Sequence, residues 1–367
     1  MGMKPDDLLL DLVAIPSVSP MSNAPMIAYA EQYLRGWKKK RYCYRDAAGV
    51  EKINLIATTK PGVAELALVC HTDTVPCEAE GLRPMLRGGK LYGRGSCDVK
   101  GFLACILSAV SRVDVKALKK PLAVVLTADE EVGCVGAKFL AKKKAFRARH
   151  IIIGEPTGLR PVCAGKGYAL GEIVVRGKEA HSAYPAHGHS AIVDAARVVL
   201  ALEGVAKKLK THKNRAFDPP FTTLNAGLIH GGTAKNIIPG ECRITVEWRP
   251  VPGHPEDGAA HLIREMLAGL RGIDAAFEVK RLDPPFEPSP SNELATMVQS
   301  LANTRPDAVP FGTEAAHLRG LGGEVIVFGA GDMTMAHTDH EFVPVKELRA
   351  CAGNLVSIIE RLCGRTQ

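Results

Sequence analysis

Short, almost unbroken runs of apolar residues stand out along the chain. They cover 66–70, 122–126, 151–153 and 325–328. Strands that are apolar on both faces are typical of parallel sheets covered by helices on both sides. Helical patterns such as 102–110 and 135–143 lie between the runs. This alternation predicts an α/β fold with a doubly wound, mostly parallel sheet.

The middle of the chain has a different pattern. In the strand predicted over 241–249, apolar residues such as Ile244 and Val246 alternate with polar ones, which indicates a sheet with one face in solvent. The predicted order is strand 168–176, helix 189–210, strands 222–230 and 241–249, helix 255–270 and strand 275–282. This βαββαβ order predicts a ferredoxin-like α+β unit. We therefore expect one domain from 1–166 and 283–367, with a smaller domain inserted at 167–282.

Composition excludes several classes of protein. The ten cysteines form no C-x-x-C pair, so we expect reduced thiols rather than a disulfide scaffold. The net charge of +8 comes partly from basic runs, but aromatic residues make up only 5% and no recognised nucleic-acid motif is present, so we expect no nucleic-acid partner. No apolar stretch reaches the ~20 residues of a membrane span, and Asp11 interrupts the apolar N-terminal run. We expect a cytoplasmic protein without membrane attachment.

Side chains that can bind metal follow four of the predicted strands. They are His71 with Asp73, Glu130 with Glu131, Glu155, and His337, while Asp98 lies in a Gly-rich loop that opens a helix. Ligands of open α/β sheets bind at the carboxyl ends of the strands, so we expect these side chains to converge. Two imidazoles and three carboxylates suit zinc, and one shared carboxylate would serve two ions. Taken singly, each residue could instead be a solvated loop residue, and Asp98 a helix cap.

Seven segments together resemble the zinc aminoacylase and carboxypeptidase family that includes acetylornithine deacetylase and succinyl-diaminopimelate desuccinylase. They are HTDTVP (71–76), GRGSCDVKG (93–101), ADEEVGCVGA (128–137), GEPT (154–157), GKEAHSAYP (177–185), GGTAKNIIP (231–239) and AHTDHEFVP (336–344). The resemblance implies that His71 and Glu155 bind one zinc, that Glu131 and His337 bind the other, and that Asp98 bridges both. Cobalt or manganese can replace zinc. The divided domain would be catalytic.

The resemblance also implies roles for two further acids. Asp73 would fix the tautomer and basicity of His71. Glu130 would be the general base, because the water that attacks an amide must lose a proton and the departing amine must gain one. A catalytically inactive metal-binding relic would not need to keep Glu130.

For the inserted domain, the resemblance implies a lid that also forms a homodimer. His181 would reach the partner's site and polarise the scissile carbonyl. Arg249 would bind the substrate α-carboxylate with two hydrogen bonds, and Asn236 would contact the substrate. From the sequence pattern alone, His181 could be a core histidine, Arg249 an ion-pair residue and Asn236 a turn residue.

The substrate expected from the resemblance is a small N-acyl amino acid. The segment GTEA at 312–315 resembles the substrate loop of the acetylornithine branch, which makes Gly312 and Thr313 candidate contacts. That branch implies deacetylation of N-acetylornithine in arginine biosynthesis. However, HSAYP at 181–185 resembles the desuccinylase segment, so a desuccinylase or another deacylase or carboxypeptidase of the family stays an alternative.

Other enzyme classes lack their motifs. A dinucleotide-binding oxidoreductase needs G-x-G-x-x-G, but Asp98 stands where the third glycine belongs. A serine hydrolase needs G-x-S-x-G, and the segment 188–192 lacks the last glycine. Cys97 has no candidate base that is not already needed as a metal ligand, which argues against a thiol nucleophile.

Overall fold

The computed structural model describes residues 2–364 except His254 and Glu256. The α-helices in this part of the chain are α1 (Pro5–Ala14), α2 (Ala24–Tyr33), α3 (Lys100–Arg112), α4 (Val135–Lys142), α5 (Ala191–Leu209), α6 (Gly258–Gly269), α7 (Glu293–Ala302), α8 (Ala315–Leu318) and α9 (Val345–Cys363). The strands are β1 (Lys38–Arg45), β2 (Glu51–Thr58), β3 (Ala64–His71), β4 (Met85–Arg87), β5 (Lys90–Tyr92), β6 (Leu122–Thr127), β7 (Ala148–Gly154), β8 (Val162–Gly165), β9 (Tyr168–Arg176), β10 (Ala180–His181), β11 (Thr223–Gly231), β12 (Ile237–Ile238), β13 (Glu241–Arg249), β14 (Asp274–Asp283), β15 (Asp307–Val309), β16 (Gly322–Phe328) and β17 (Phe342–Pro344). No helix in these ranges is long and apolar enough to cross a membrane.

Among the described residues, the first compact unit comprises those up to Cys163, Pro288–Asp307 and those from Thr313 onwards. Its main sheet has the order β1-β2-β6-β3-β7-β16-β8-β15. The four central strands β6, β3, β7 and β16 run parallel, whereas β1 and β2 join one edge in antiparallel pairing. Each of the four apolar runs forms one of these central strands, which confirms the predicted α/β fold with a mostly parallel sheet.

Helices cover both faces of this sheet. Leu66, Leu68 and Cys70 of β3 belong to a core that also contains residues of α1, α2, α3, α7 and α9. The alternate residues Ala67 and Val69 are equally buried, and α4 and α8 contact β2 and β16 respectively. Helix α3 is buried over Lys100–Val110, which explains why its sequence is apolar on every side.

The second compact unit comprises Ala164–Glu287 and Ala308–Gly312. Its antiparallel sheet has the order β11-β13-β9-β14, which is the ferredoxin-like arrangement predicted from βαββαβ. The apolar face, with Ile173, Ile244 and Trp248, packs against α5 and α6. Of the helix predicted over 255–270, Glu256 lies outside the described residues and α6 begins at Gly258. The unit adds a short ribbon that we did not predict, in which β10 pairs with β12.

Candidate metal centre and its surroundings

The parallel strands bring the predicted metal ligands to one edge of the main sheet. His71 is the last residue of β3 and lies opposite Thr127, the last residue of β6. Val69 pairs with Ile153 of β7, so Glu155 follows just beyond the same edge. His337 follows β16 after a short 3₁₀ turn. The register of the sheet therefore places these side chains at adjacent strand ends, where ligands of an open α/β sheet bind.

Asp98 lies between the two histidines. Its Oδ1 is 3.1 Å from Nε2 of His71, and its Oδ2 is 3.2 Å from Nε2 of His337. The same His337 nitrogen is 3.0 Å from Oε2 of Glu131. Each carboxylate oxygen of Asp98 thus faces a different imidazole, which is the arrangement that a bridging carboxylate requires.

Two groups of side chains present donor atoms that could surround a cation. His71, Asp98 and Glu155 form one group, and Asp98, Glu131 and His337 form the other; within each group the donor atoms lie within 4.8 Å of one another. The two groups share Asp98. Imidazole nitrogens and carboxylate oxygens are donors that zinc accepts. The residues present therefore fit two divalent cations, and they are the five ligands that the family resemblance implies.

The centre carries more carboxylates than the side chains around it can neutralise. Burial raises the pKa of Glu155 well above its usual value, and the charge of Asp98 raises it further. Burial alone would raise the pKa of Asp98 as well, but hydrogen bonds with His337 and His71 hold it low. The bonds with Asp98 and Glu131 raise the pKa of His337 to about 10. Both trends show a strongly negative environment that favours bound positive charge.

Glu130 lies beside this centre but belongs to neither donor group. Its side chain is half-buried, and the thiol of Cys134 donates to its Oε1 over 3.3 Å. Burial raises the pKa of Glu130 to about 8, and the neighbouring charge of Glu131 adds to the effect. A carboxylate that is close to the cluster and not needed as a ligand is free to handle protons.

Asp73 has more contacts than we predicted. Its carboxylate accepts hydrogen bonds from the backbone N–H groups of Glu130 and Glu131, at 3.0 and 3.2 Å, and from the hydroxyl of Ser19 at 2.8 Å. Nδ1 of His71 is 3.1 Å from the main-chain oxygen of Asp73 and 3.7 Å from its carboxylate. The carbonyl and the carboxylate of Asp73 therefore both face Nδ1 of His71, and the carboxylate also positions the segment that carries Glu130 and Glu131.

Three buried acids near the centre were not singled out from the sequence. Glu314 is fully buried and its Oε2 accepts from the Thr127 hydroxyl over 3.0 Å; burial raises its pKa to about 7. Asp129 accepts from the hydroxyl of Tyr44 at 2.8 Å and forms an ion pair with Lys52 at 3.1 Å. The third, Glu341, holds the backbone around Asp98. All three lie inside motif segments, Asp129 in ADEEVGCVGA, Glu314 in GTEA and Glu341 in AHTDHEFVP, which was the available signal.

Four of the predicted substrate or catalytic residues lie in the second unit, with Gly312 as its last residue. His181 and Asn236 are both exposed and lie together, because β10 pairs with β12 and the N–H of Ser182 donates to the Asn236 carbonyl over 3.0 Å. Arg249 is half-buried, pairs with Glu247 at 2.5 Å and has its guanidinium 4.4 Å from the centre of the Tyr168 ring.

The loop that contains Gly312 and Thr313 crosses from the second unit to the first. The side chain of Thr313 is buried, and its hydroxyl accepts from the N–H of Ala315 at the start of α8, over 3.2 Å. That side chain is therefore occupied by the turn into α8.

Comparison with known proteins agrees with the fold and with the resemblance. The family model described as "Peptidase family M20/M25/M40" matches residues 67–361. The chain belongs to this family of hydrolases.

Individual relatives extend the match to nearly the whole chain. An acetylornithine deacetylase of Myxococcus xanthus is 45% identical over 97% of both chains. Another from Salmonella typhimurium is 34% identical over 96% of both. A tripeptidase structure from Staphylococcus aureus, 23% identical, shares the fold with a TM-score of 0.78 over 98% of both chains.

Proposed function

We propose that the chain is a metal-dependent amidohydrolase that removes the acetyl group from N-acetylornithine, a step of arginine biosynthesis, in the cytoplasm. The observation that carries the reaction type is the carboxylate of Asp98, which faces His71 with one oxygen and His337 with the other. The choice of substrate is supported by the two deacetylase relatives and by the segment GTEA.

In this proposal His71 and Glu155 hold one divalent ion, Glu131 and His337 hold the second, and Asp98 belongs to both. Zinc suits the donor set, and cobalt or manganese can substitute. When bound, the two ions would polarise the scissile carbonyl and lower the pKa of water. A pair of cations would also balance the excess of buried carboxylate.

The protons are handled by Glu130. Its carboxylate accepts a proton from the attacking water and delivers it to the nitrogen of the departing amine, since both transfers need a group beside the cluster that is not a ligand. The hydrogen bonds from Glu130 and Glu131 N–H to Asp73 keep this segment in place. Asp73 thereby holds in place the backbone that carries the proposed base and the neighbouring ligand.

The substrate is recognised by residues of the second unit and the loop after it. Arg249 binds the α-carboxylate, for which a planar guanidinium is well suited. The guanidinium stacks on the ring of Tyr168, and its Nε forms an ion pair with Glu247. Asn236, Gly312 and Thr313 complete the proposed contacts, the last two through their backbone.

We also propose that two copies pair through the second unit. Strand β11 is at one edge of its sheet, and Leu228 and Ile229 on it are 57% and 51% exposed. Together with Leu200 of α5 they line an apolar concavity of about 410 Å³. Exposed edge strands with apolar side chains need a partner, and a second copy offers the same surface in a two-fold arrangement. His181 would then polarise the substrate carbonyl in the partner's site.

Initial rates against matched acetyl and succinyl derivatives of ornithine, citrulline, lysine and diaminopimelate test the proposal. We expect the highest kcat/KM for Nα-acetyl-L-ornithine. A higher value for the succinyl compounds would support the desuccinylase alternative suggested by HSAYP. No hydrolysis of any N-acyl amino acid by the metal-loaded protein would refute the proposed reaction.

A further inference from the structure

The loop that carries Asp98 is held by a single buried acid from a distant part of the chain. Glu341 is 3% exposed. Its Oε1 accepts from the backbone N–H groups of Cys97 and Asp98, at 2.9 and 3.0 Å. Its Oε2 accepts from the N–H of Gly95 at 3.0 Å and from Nη1 of Arg94 at 2.7 Å. Four donors from the segment 94–98 therefore converge on one carboxylate.

These contacts fix the backbone of the shared ligand itself. The N–H of Asp98 is one of the four donors, so the position of its Cα depends on Glu341. The chain between Gly95 and Asp98 is otherwise not part of a helix or strand. Gly95 has φ of +80°, and a Cβ there would lie 2.8 Å from the side chains of Thr74 and Lys100, so the loop is tightly confined around this conformation.

Glu341 also ties this loop to the segment of the second histidine. It lies four residues after His337, and its carbonyl oxygen accepts from the N–H of Gly93 over 3.1 Å. Side chain and main chain of one residue thus join the loop 93–98 to the segment 337–341. Asp98 and His337, which must both meet the second proposed ion, come from these two segments.

We propose that Glu341 is a positioning residue that sets the geometry of the metal centre through the backbone of residues 95–98. Glu341 itself belongs to neither group of metal-binding donors. The inference rests on the proposed metal centre. Because Asp98 belongs to both donor groups, displacing its loop should weaken both metal sites rather than one. Residues that orient metal ligands through hydrogen bonds, without binding the metal themselves, typically contribute about 10- to 100-fold in metal affinity.

The chain offers a matched control in Glu324. It too is a buried acid, 2% exposed, and its two oxygens accept from the backbone N–H groups of Leu294 and Ala295, at 2.9 and 3.0 Å. These donors open helix α7, and Glu324 lies near the start of β16, at the opposite end of that strand from His337. Glu324→Gln removes the same kind of contact without touching either metal-bearing segment.

The first measurement is zinc affinity by competition with a chelator, on the full chain, for the wild type, Glu341→Gln and Glu324→Gln. In Glu341→Gln the new amide NH₂ faces N–H donors instead of accepting from them, so we expect a loss of about 10- to 100-fold at both sites. Glu324→Gln should lower thermal stability but keep the wild-type affinities. Equal zinc affinities in the wild type and Glu341→Gln would overturn the role of Glu341. A wild-type chain that binds no zinc would instead refute the proposed centre.

The second measurement is amide hydrogen exchange of residues 93–99 in the metal-free proteins, which needs no activity. We expect faster exchange of this segment in Glu341→Gln and unchanged exchange in Glu324→Gln. If Glu341→Gln does not fold, Arg94→Gln serves instead. It removes one donor, leaves Glu341 in place, and should give a smaller loss of zinc affinity in the same direction. Unchanged affinity and exchange in Arg94→Gln would contradict the inference.

Discussion

The residues of the candidate metal centre differ from His181 and Asn236, at the β10–β12 ribbon, in how many contacts hold them in place. The carboxylates of Asp73 and Glu341 accept hydrogen bonds from the backbone of the centre, including the N–H groups of Asp98, Glu130 and Glu131. His181 lies on a strand of two residues, Asn236 directly precedes another, and both are exposed. The first set has its geometry before any substrate arrives, as electrostatic catalysis requires.

Within the second unit, few contacts hold the His181 side chain on the β10–β12 ribbon in place. The ring of His181 has an edge contact with Tyr184 at 5.8 Å and accepts from the N–H of Ala183 over 3.0 Å. Both partners are neighbours in sequence. The candidate metal ligands are brought together within one compact unit, whereas an exposed histidine such as His181 needs a second surface to act on. For His181 we propose that this surface is the partner's site.

Metal removal should have the largest effect. Chelation should abolish hydrolysis, because the proposed reaction depends on the ions that His71, Asp98 and Glu131 help to bind. Zinc or cobalt at about two ions per chain should restore it. Activity and metal content are measured on the same dialysed samples. Full activity of rigorously metal-free protein would contradict the assignment.

Replacing the proposed base, Glu130, tests whether the residue that transfers protons is different from the residues that bind metal. Glu130→Gln should keep both ions and the fold but lose about 10²–10⁴-fold in kcat. Glu131→Gln is the matched control and should lose metal. If Glu130→Gln loses metal and its neighbour does not, the two roles are exchanged.

Mixed dimers test whether His181 acts in the partner's site. His181→Ala and Glu130→Gln should each be nearly inactive alone. Random exchange of equal amounts makes about half of the dimers mixed, each with one competent site of two, so about a quarter of wild-type activity should return. Subunit exchange is checked with differently tagged chains. A mixture that stays inactive despite exchange would show that His181 does not act in the partner's site.

A smaller, selective change is expected at Arg249. The variant Arg249→Lys should raise KM, because an ammonium cannot reproduce the two-pronged contact with a carboxylate. Amidation of the substrate α-carboxyl should then impair the wild type strongly and the variant only a little further. Equal discrimination by both proteins would mean that Arg249 does not recognise this group.

Much of the fold was predictable because the spacing of apolar residues along the chain indicates which faces of a strand or helix are buried. The runs that form β3, β6, β7 and β16 are buried on both faces, and the alternation over 241–249 matches β13 with one apolar face. The basic run 38–41 by itself indicates only a solvated face. It forms the start of the edge strand β1, whose first four residues are exposed, and exposed residues leave little periodicity to detect.

The convergence of the candidate metal ligands was predictable for a different reason. Residues such as Glu155 and His337 follow recognisable strands, so topology alone brings them to one edge. The roles of Glu341 and Asp129 could not be found this way, because they depend on partners far away in sequence. The distance between the Asp73 carboxylate and His71 could not be predicted either, because it depends on the conformation of the turn that contains both residues.

Anomalous scattering of zinc in crystals of the metal-loaded protein tests directly whether Asp98 is shared by two ions. We predict two peaks in each chain, one among His71, Asp98 and Glu155 and the other among Asp98, Glu131 and His337, about 3.5–4 Å apart. Both oxygens of Asp98 should be ligands. A single peak, or two peaks that do not share Asp98, would contradict the account.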